Sequence, residues 1–379
     1  MSSFAAQFGR PPEGRWSAPG RVNLIGEYTD LNGGHVLPLA IPERTTVEAA
    51  ARPDRLLRCY SDRDEGAGIS EAALDGQAMP AGWAAYPLAV ARSLEASGHA
   101  VGGADILVRS TVPVGAGLSS SAALECAVAL ALCGLYDAQL KPMETALVAQ
   151  RAERDYVGMP CGIMDQAAAM CCEQGHALLL DTSDLATVQV PLPTAAAGLE
   201  LLVVDSRVEH QLQSSAYSDR KAACDRAAAA LGLRSLREVP AGEAQAALEQ
   251  LRASAGEEVV RRARHVLSEE ERVLAVVRAL GALDMESVGA LLAEGHRSLR
   301  YDFEVSCPEL DVIVETSMRE GALGARLTGA GFGGSAVVLA PLGYRQGIEA
   351  AMLGAFAERG WRPPAVMVVQ PSAGARRDG

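Results

Sequence analysis

Four polar side chains in an otherwise apolar and glycine-rich segment mark the first candidate site. Residues 18–34 read APGRVNLIGEYTDLNGG and carry Arg21, Asn23, Glu27 and Asp30. Buried charge is costly unless it is paired or bound to a ligand. Carboxylates accept hydrogen bonds from hydroxyl groups, and a sugar offers several of these. The segment therefore predicts a polyol pocket, with an ordinary internal ion pair as the open alternative.

A second segment, residues 113–123, has the composition of a phosphate-binding loop. It reads PVGAGLSSSAA. Glycines followed by serines at a helix start present free backbone N–H groups at the positive end of the helix dipole. The segment lacks the lysine of a GK[ST] loop, and the chain has no HRD or DFG elements, which excludes a Walker A loop and a protein-kinase loop. The alternative is a plain glycine turn followed by a serine N-cap.

Two further segments concentrate glycine or isolate an acid. Residues 324–334, GARLTGAGFGG, hold five glycines in eleven residues. This density indicates a loop that closely approaches another backbone or a ligand. Residues 158–166, GMPCGIMDQ, place Asp165 among small and apolar side chains. Such an acid needs a partner, and we expect Arg21 to be that partner.

Composition excludes several classes of protein. The chain has 379 residues, 49% of them hydrophobic, and a net charge of −13, which argues against a nucleic-acid partner. It shows no signal peptide and no apolar run long enough to span a bilayer, so we expect no membrane partner. Its eight cysteines contain no CxxC pair, which favours reduced thiols in a cytoplasmic protein.

The elements that must position these segments alternate along the chain. A strand over 106–112 leads through a glycine turn into a buried helix over 119–135, opened by serines as N-cap residues. A mainly helical region follows over 218–299. We expect a frayed tail beyond residue 371 and a domain boundary between 181 and 193. Further strands are predicted over 177–180, 199–204, 325–328, 335–339 and 365–369.

Together the segments resemble the galactokinase branch of the family that also holds homoserine, mevalonate and phosphomevalonate kinases. Residues 20–34 resemble its sugar-binding signature, residues 113–124 its phosphate loop and residues 324–339 its third motif. Residues 152–166 and 214–221 agree with it as well. The similarity runs in the same order from about residue 17 to the last predicted strand.

The resemblance implies an α+β fold with the GHMP kinase architecture. Residues 1–185 would form an N-terminal domain like domain 2 of ribosomal protein S5, and residues 186–379 a ferredoxin-like domain with added helices. It also implies the reaction, in which ATP phosphorylates the anomeric hydroxyl of a free hexose, galactose in this branch, to give the sugar 1-phosphate. The implied cofactors are ATP and Mg²⁺, the partners are a small sugar and ATP, and we expect a monomer.

The resemblance further implies roles for single residues. Asp165 matches the family's catalytic base, and Arg21 matches the arginine that contacts both this acid and the transferred phosphoryl group. The implied metal ligands are Ser121 and Glu153. The implied sugar contacts are Glu27, Tyr28, Asp30, Gly162 and Tyr217. The implied nucleotide contacts are Gly115, Ala116, Gly117, Leu118, Ser119, Ser120, Ser121 and Trp83.

One departure from the family pattern leaves the sugar open. The family usually has histidine where this chain has Tyr28, a larger side chain that either reshapes the pocket beside Glu27 or replaces the histidine without consequence. Kinases for N-acetylgalactosamine, arabinose or a uronic acid are therefore alternatives, as is a sugar and ATP sensor without turnover. A free Asp titrates near pKa ~3.9, so Asp165 either accepts a proton late in the reaction or only orients the hydroxyl.

Overall fold

A computed structural model describes residues 3–64, 66, 68–76, 78–208 and 213–379. Among these residues, a mixed six-stranded sheet is formed by five strands of the first half of the chain and one strand at its C-terminal end. The side chains of Ser214 and Ser215, in the segment 214–221, lie outside the described set. The sheet order is β13-β1-β3-β6-β4-β5, with β4 and β6 parallel and the other neighbours antiparallel. Its strands are β1 (Gly14–Asn23), β3 (Pro38–Arg52), β4 (Leu56–Ser61), β5 (Ser70–Ala73), β6 (Gly103–Ser110) and β13 (Arg376–Arg377).

Helices pack against this sheet and bury its apolar residues. The central helix is apolar around most of its circumference, because alanine, leucine and cysteine fill it, and it is correspondingly buried. It was predicted over 119–135 and spans nearly the same residues. The helices of this half are α1 (Phe4–Phe8), α2 (Ala85–Ala96), α3 (Ser120–Leu135), α4 (Pro142–Arg151), a π-helical turn (Ala152–Val157) and α5 (Met164–Cys171).

A four-stranded antiparallel sheet organises the described residues of the second half. Its order is β10-β11-β9-β12. The strands are β9 (Leu199–Asp205), β10 (Gly324–Thr328), β11 (Ser335–Pro341) and β12 (Ala365–Val369). Its helices are α6 (Gln213–Ala230), α7 (Ala244–Ser254), α8 (Glu257–Gly281), α9 (Met285–Ser298), α10 (Pro308–Arg319) and α11 (Arg345–Glu358). All of these strands, and the helical character of 218–299, agree with the sequence prediction to within a few residues.

A shared core joins the two halves. The buried cluster contains Ile25 and Leu39 from the first half and Val203, Val273 and Val337 from the second half. A small sheet of β2 (His35–Val36), β7 (His176–Asp181) and β8 (Thr187–Pro191) lies across the predicted boundary at 185/186. That boundary stays a prediction. Within the described residues, no helix combines the length and the apolar character needed to cross a bilayer.

The expectation of a frayed tail beyond residue 371 is wrong. The backbone N–H of Ser372 donates to Ala40 at 2.9 Å, and β13 pairs with β1. The Arg44 guanidinium donates to the carbonyls of Ala373 and Gly374, each at 2.8 Å. The sequence PSAGARRDG has no strand pattern of its own, so only partners distant in the chain order this tail.

Removal of residues 372–379 should lower the free energy of unfolding by at least about 2 kcal/mol, because Arg44 would lose two carbonyl partners and β1 would lose the strand on one of its two sides. Denaturant unfolding of the truncated and intact chains measures the change. The matched control is Arg376→Ala, which removes an exposed side chain from the same tail and should cost no more than about 0.5 kcal/mol. Equal stability of the truncated and intact chains would contradict an ordered tail.

Candidate active site

An ion pair between the first and fourth segments, made by a buried guanidinium and a partly exposed carboxylate, forms the centre of the site. Arg21, near the end of β1, is 5% exposed and donates to Oδ1 of Asp165 from Nε at 2.8 Å and from Nη2 at 2.7 Å. Asp165 lies in the first turn of α5, and its Oδ2 accepts a hydrogen bond from the Ser119 hydroxyl at 2.5 Å. The predicted partnership of Arg21 with Asp165 is therefore confirmed. Nη1 of Arg21 reaches the Gly117 carbonyl at 2.7 Å, which ties the pair to the glycine–serine loop.

The glycine–serine loop differs from the prediction at its serine cap. Ser119 precedes α3 with a φ of 56°, and its side chain makes no capping hydrogen bond. In this left-handed conformation the Ser119 hydroxyl does not bond to the helix amides and donates to the Asp165 carboxylate instead. Gly115 and Gly117 also have positive φ angles, of 77° and 74°, which glycine adopts without steric cost. The start of α3 thus keeps amide groups available for an anion.

Two adjoining cavities, both lined by described residues, meet at the ion pair. The first measures about 160 Å³ and the second about 250 Å³. Arg21, Asp165 and Ala330 line both. All the residues that the resemblance implies as sugar contacts also line the first cavity, namely Glu27, Tyr28, Asp30, Gly162 and Tyr217. The second also contains most of the implied phosphate contacts, namely Gly115, Gly117, Leu118, Ser119, Ser120 and Ser121.

Carboxyl groups of the first cavity are desolvated. Burial raises the pKa of Glu27 to about 7, although the Arg326 guanidinium opposes the rise. Burial and the nearby charge of Asp165 raise the pKa of Asp30 to about 7. Both groups therefore lie close to their protonation midpoint near neutral pH. Each would regain hydrogen bonds from a polyhydroxylated ligand that replaced its lost water.

Gly162 makes room for the Asp30 carboxyl group. A Cβ atom at Gly162 would lie 1.8 Å from Oδ2 of Asp30, far inside van der Waals contact. The backbone of the fourth segment can approach this acid only because it carries no side chain there. Gly162 and Asp30 therefore form one wall of the first cavity together.

A buried charge cluster supports Glu27 from the second half of the chain. Arg326 on β10 is 0% exposed and pairs with Glu27 and, at 2.8 Å, with Glu269 on α8. Glu269 also accepts from the Gly26 backbone N–H at 2.9 Å, and the cations around it lower its pKa. Sequence analysis missed Arg326 and Glu269 as contributors to the site. A basic residue inside the apolar strand GARLT was the available signal.

A further cavity of about 400 Å³ borders the start of α3. Ser120 and Ser121 line it together with Trp83, the residue expected on the nucleotide side. The Trp83 indole N–H donates to Asp64 at 3.3 Å. This cavity and the second cavity share Ser120 and Ser121, so the two adjoin at the start of α3. Ala116, also expected among the nucleotide contacts, is buried, and its carbonyl accepts from the Ser335 hydroxyl at 2.7 Å.

The two implied metal ligands lie beside each other under the serine run. Burial raises the pKa of Glu153, and the neighbouring Ser121 hydroxyl opposes the rise. Gln166 donates to Glu153 at 2.7 Å and to the fully buried Glu125 at 3.0 Å. Sequence analysis missed Glu125 and Gln166. Among the described residues, no group of three or more His, Cys, Asp or Glu could hold a metal ion.

Comparison with known families agrees with this arrangement. The model for the GHMP kinases N terminal domain matches residues 85–173, and the model for the GHMP kinases C terminal region matches residues 276–358. These matches cover both halves that meet at the site, and they define the class as GHMP kinases. A third model, the galactokinase galactose-binding signature, matches residues 2–51, which include the first segment.

Individual relatives narrow the class. A galactokinase of Streptomyces coelicolor is 49% identical over 99% of this chain and 96% of its own length, and one of Streptomyces lividans is 46% identical over 97% and 92%. The crystal structure of Lactococcus lactis galactokinase complexed with galactose superposes with a TM-score of 0.93 at 32% identity, covering 98% of this chain and 97% of that one. The chain therefore belongs to the galactokinase family of the GHMP kinases.

Asp30→Asn should stabilise the unliganded protein, and more so at higher pH. The folded-state pKa is raised from 3.8 to about 7, so the native state binds more protons than the unfolded state, and stability falls as pH rises through this range. Asparagine removes that loss, and we expect a gain in melting temperature of about 2 °C or more at about pH 8 and a smaller gain at about pH 5.

Asp155→Asn is the matched control for this measurement. Asp155 is exposed, and the Arg154 guanidinium lowers its pKa, so its substitution should give no gain that grows with pH. Thermal melts of the three proteins at both pH values provide the comparison. A gain for Asp30→Asn that is the same at both pH values, or larger at low pH, would contradict a desolvated carboxyl group with a raised pKa.

Proposed function

We propose that this chain transfers the terminal phosphoryl group of ATP to the anomeric hydroxyl of galactose, giving galactose 1-phosphate and ADP. The observation that carries the proposal is the shared border of the two cavities. Arg21 and Asp165 line both, so a sugar in the first cavity and a phosphate in the second would meet at this pair. The match to the galactose-binding signature and the similarity to a galactokinase complexed with galactose support galactose as the sugar.

The first cavity would recognise the sugar through its desolvated acids. Asp30 and Glu27 are positioned to accept hydrogen bonds from sugar hydroxyls, and Tyr217 contributes a hydroxyl and an aromatic face. Sugar binding needs both acids as acceptors, and their pKa values are raised to about 7. Affinity for galactose is therefore expected to weaken as pH falls below neutrality.

The second cavity would neutralise the phosphoryl group. Phosphoryl transfer has a loose transition state, so catalysis consists mainly of positioning and charge stabilisation. Arg21 and the amides before α3 supply fixed positive charge at the border. The anomeric oxygen forms the new bond to phosphorus while the bond to the leaving ADP oxygen breaks. Asp165 accepts the hydroxyl proton late in this step, because deprotonation by an unassisted aspartate beforehand is strongly uphill.

We infer that Ser121 and Glu153 would hold Mg²⁺. A hydroxyl and a carboxylate are hard oxygen donors, and Mg²⁺ is usually bound by one or two such groups together with substrate phosphates. Ser121 lines the second cavity, and its hydroxyl lies beside the Glu153 carboxyl group, so these two donors fit the ion. The bound ion would neutralise phosphate charge. Gln166, which donates to Glu153, would keep that carboxylate oriented.

We further infer that Trp83 contacts the nucleotide base in the third cavity and that the enzyme acts as a cytoplasmic monomer. The shared lining residues Ser120 and Ser121, which place the third cavity next to the second, support the nucleotide assignment. Both halves of this chain line the two cavities that meet at the ion pair, so the proposed reaction needs no residue from a second copy. Free thiols at all eight cysteines support a reducing compartment.

Asp165→Asn should lower kcat by at least about a hundredfold, because it removes both the proton acceptor and the negative charge that pairs with Arg21. Galactose binding should survive, since the sugar acceptors remain, and titration calorimetry measures it independently of turnover. The control Asp184→Asn changes an exposed acid in the turn before β8 and should leave kcat unaltered. Near-normal turnover of Asp165→Asn would refute the assignment of the base. Binding of galactose and ATP by the intact chain without turnover would favour a sensor.

Gly162→Ala should raise the KM for galactose by about tenfold or more, because the added methyl group displaces the Asp30 carboxyl group. The KM for ATP should change little, since Gly162 lines only the first of the two adjoining cavities formed by the described residues. Steady-state kinetics with each substrate varied separates the two effects. Gly347→Ala, on α11 with open space around the added Cβ, is the control. An unchanged KM for galactose would remove this wall from the sugar site.

A further inference from the structure

Tyr28 is held in a backbone conformation that tyrosine rarely adopts. Its φ is 70°, in the left-handed region that is unfavourable for a bulky side chain. The ring is 4% exposed and packs against Phe303 and Tyr217, with centroids 4.5 Å and 5.5 Å away. The side-chain amide of Asn32 donates from Nδ2 to the Tyr28 backbone carbonyl at 2.9 Å. A strained backbone conformation of this kind persists only where several surrounding contacts enforce it, and such conformations are concentrated at functional sites.

The Tyr28 hydroxyl group has a defined partner in the glycine-rich loop. It donates to the Ala330 carbonyl at 2.5 Å. Burial raises the pKa of this hydroxyl, so it stays protonated and available as a donor. Ala330 lines both the first and the second cavity. The hydrogen bond therefore connects the sugar-binding segment directly to the border at which phosphoryl transfer would occur.

The glycine loop, residues 329–334, depends on such external contacts for its position. Four of its six residues are glycine, which leaves little local conformational preference. Gly329 donates to Glu27 at 3.3 Å, and the Phe332 N–H donates to the Val305 carbonyl at 2.6 Å. The Tyr28 contact at Ala330 lies between these two anchors. It holds the part of the loop that faces the shared border.

We propose that Tyr28 is a positioning residue, whose hydroxyl fixes Ala330 and with it the glycine loop between the sugar and nucleotide cavities. The kinetic part of this inference rests on the proposed function. Small errors in the alignment of reacting groups cost rate more than they cost ground-state binding. Loss of the hydroxyl should therefore slow transfer while the tyrosine ring continues to shape the sugar cavity.

Tyr28→Phe tests this inference because it removes only the hydroxyl and keeps the packed ring. The matched control is Tyr136→Phe, since the Tyr136 hydroxyl also donates to a backbone carbonyl, that of Gly103. Tyr136 is absent from the linings of the three cavities formed by the described residues. We expect Tyr28→Phe to lower kcat about tenfold with the KM for galactose within about twofold, and Tyr136→Phe to change neither. Amide hydrogen exchange over 329–334 should accelerate only in Tyr28→Phe.

Two results would overturn the inference. Wild-type kcat together with wild-type exchange in Tyr28→Phe would show that the loop keeps its place without the hydroxyl. A raised KM for galactose with unchanged kcat would show that the hydroxyl serves the sugar instead. The exchange measurement needs no turnover, so it still decides the role of Tyr28 if the intact chain fails to phosphorylate galactose. Such a failure would count against the proposed function alone.

Discussion

The salt bridge between Arg21 and Asp165 is the contact on which the architecture of the site depends. It joins the end of β1 to the start of α5, and Ser119 extends it to the loop before α3. A guanidinium that is 5% exposed must be paired, so the two elements cannot separate without leaving a buried charge uncompensated. The same charge faces both cavities. One side chain thus pairs a buried charge and, in the proposed reaction, would stabilise the charge of the transferred phosphoryl group.

A second buried charge cluster explains how the C-terminal half contributes to a site whose main acids lie in the N-terminal half. Arg326 lies between Glu27 and Glu269, and Glu269 also holds the Gly26 amide. The burial of Arg326 is tolerated because two carboxylates surround it. The turn that carries Glu27 is therefore shaped by β10 and α8 as much as by its own sequence. The apolar core that the two halves share packs these elements together.

Much of the fold was predictable from local patterns. The strands at 199–205 and 365–369 and the helix after the serine run are recognisable from short apolar runs and their boundaries. The order of the C-terminal tail was not predictable, because the backbone partners of Arg376 and Ser372 lie in strands that are distant in the sequence. The orientation of Ser119 was mispredicted for a similar reason. A serine before a helix favours capping, but a left-handed backbone and a nearby aspartate override that preference.

The sequence by itself determined which chemical groups are available, since the charged, hydroxyl and glycine residues of the four segments identified the family and the expected pair of Arg21 and Asp165. Only the tertiary structure decided which other groups join this pair and how burial shifts their pKa values. Arg326 and Glu125 became part of the site only through packing between distant segments. The raised pKa values of Glu27 and Asp30 arise from desolvation, which cannot be read from the residue type or from its neighbours in the sequence. Desolvation is a property of the surrounding atoms, and these are assembled only when the chain folds.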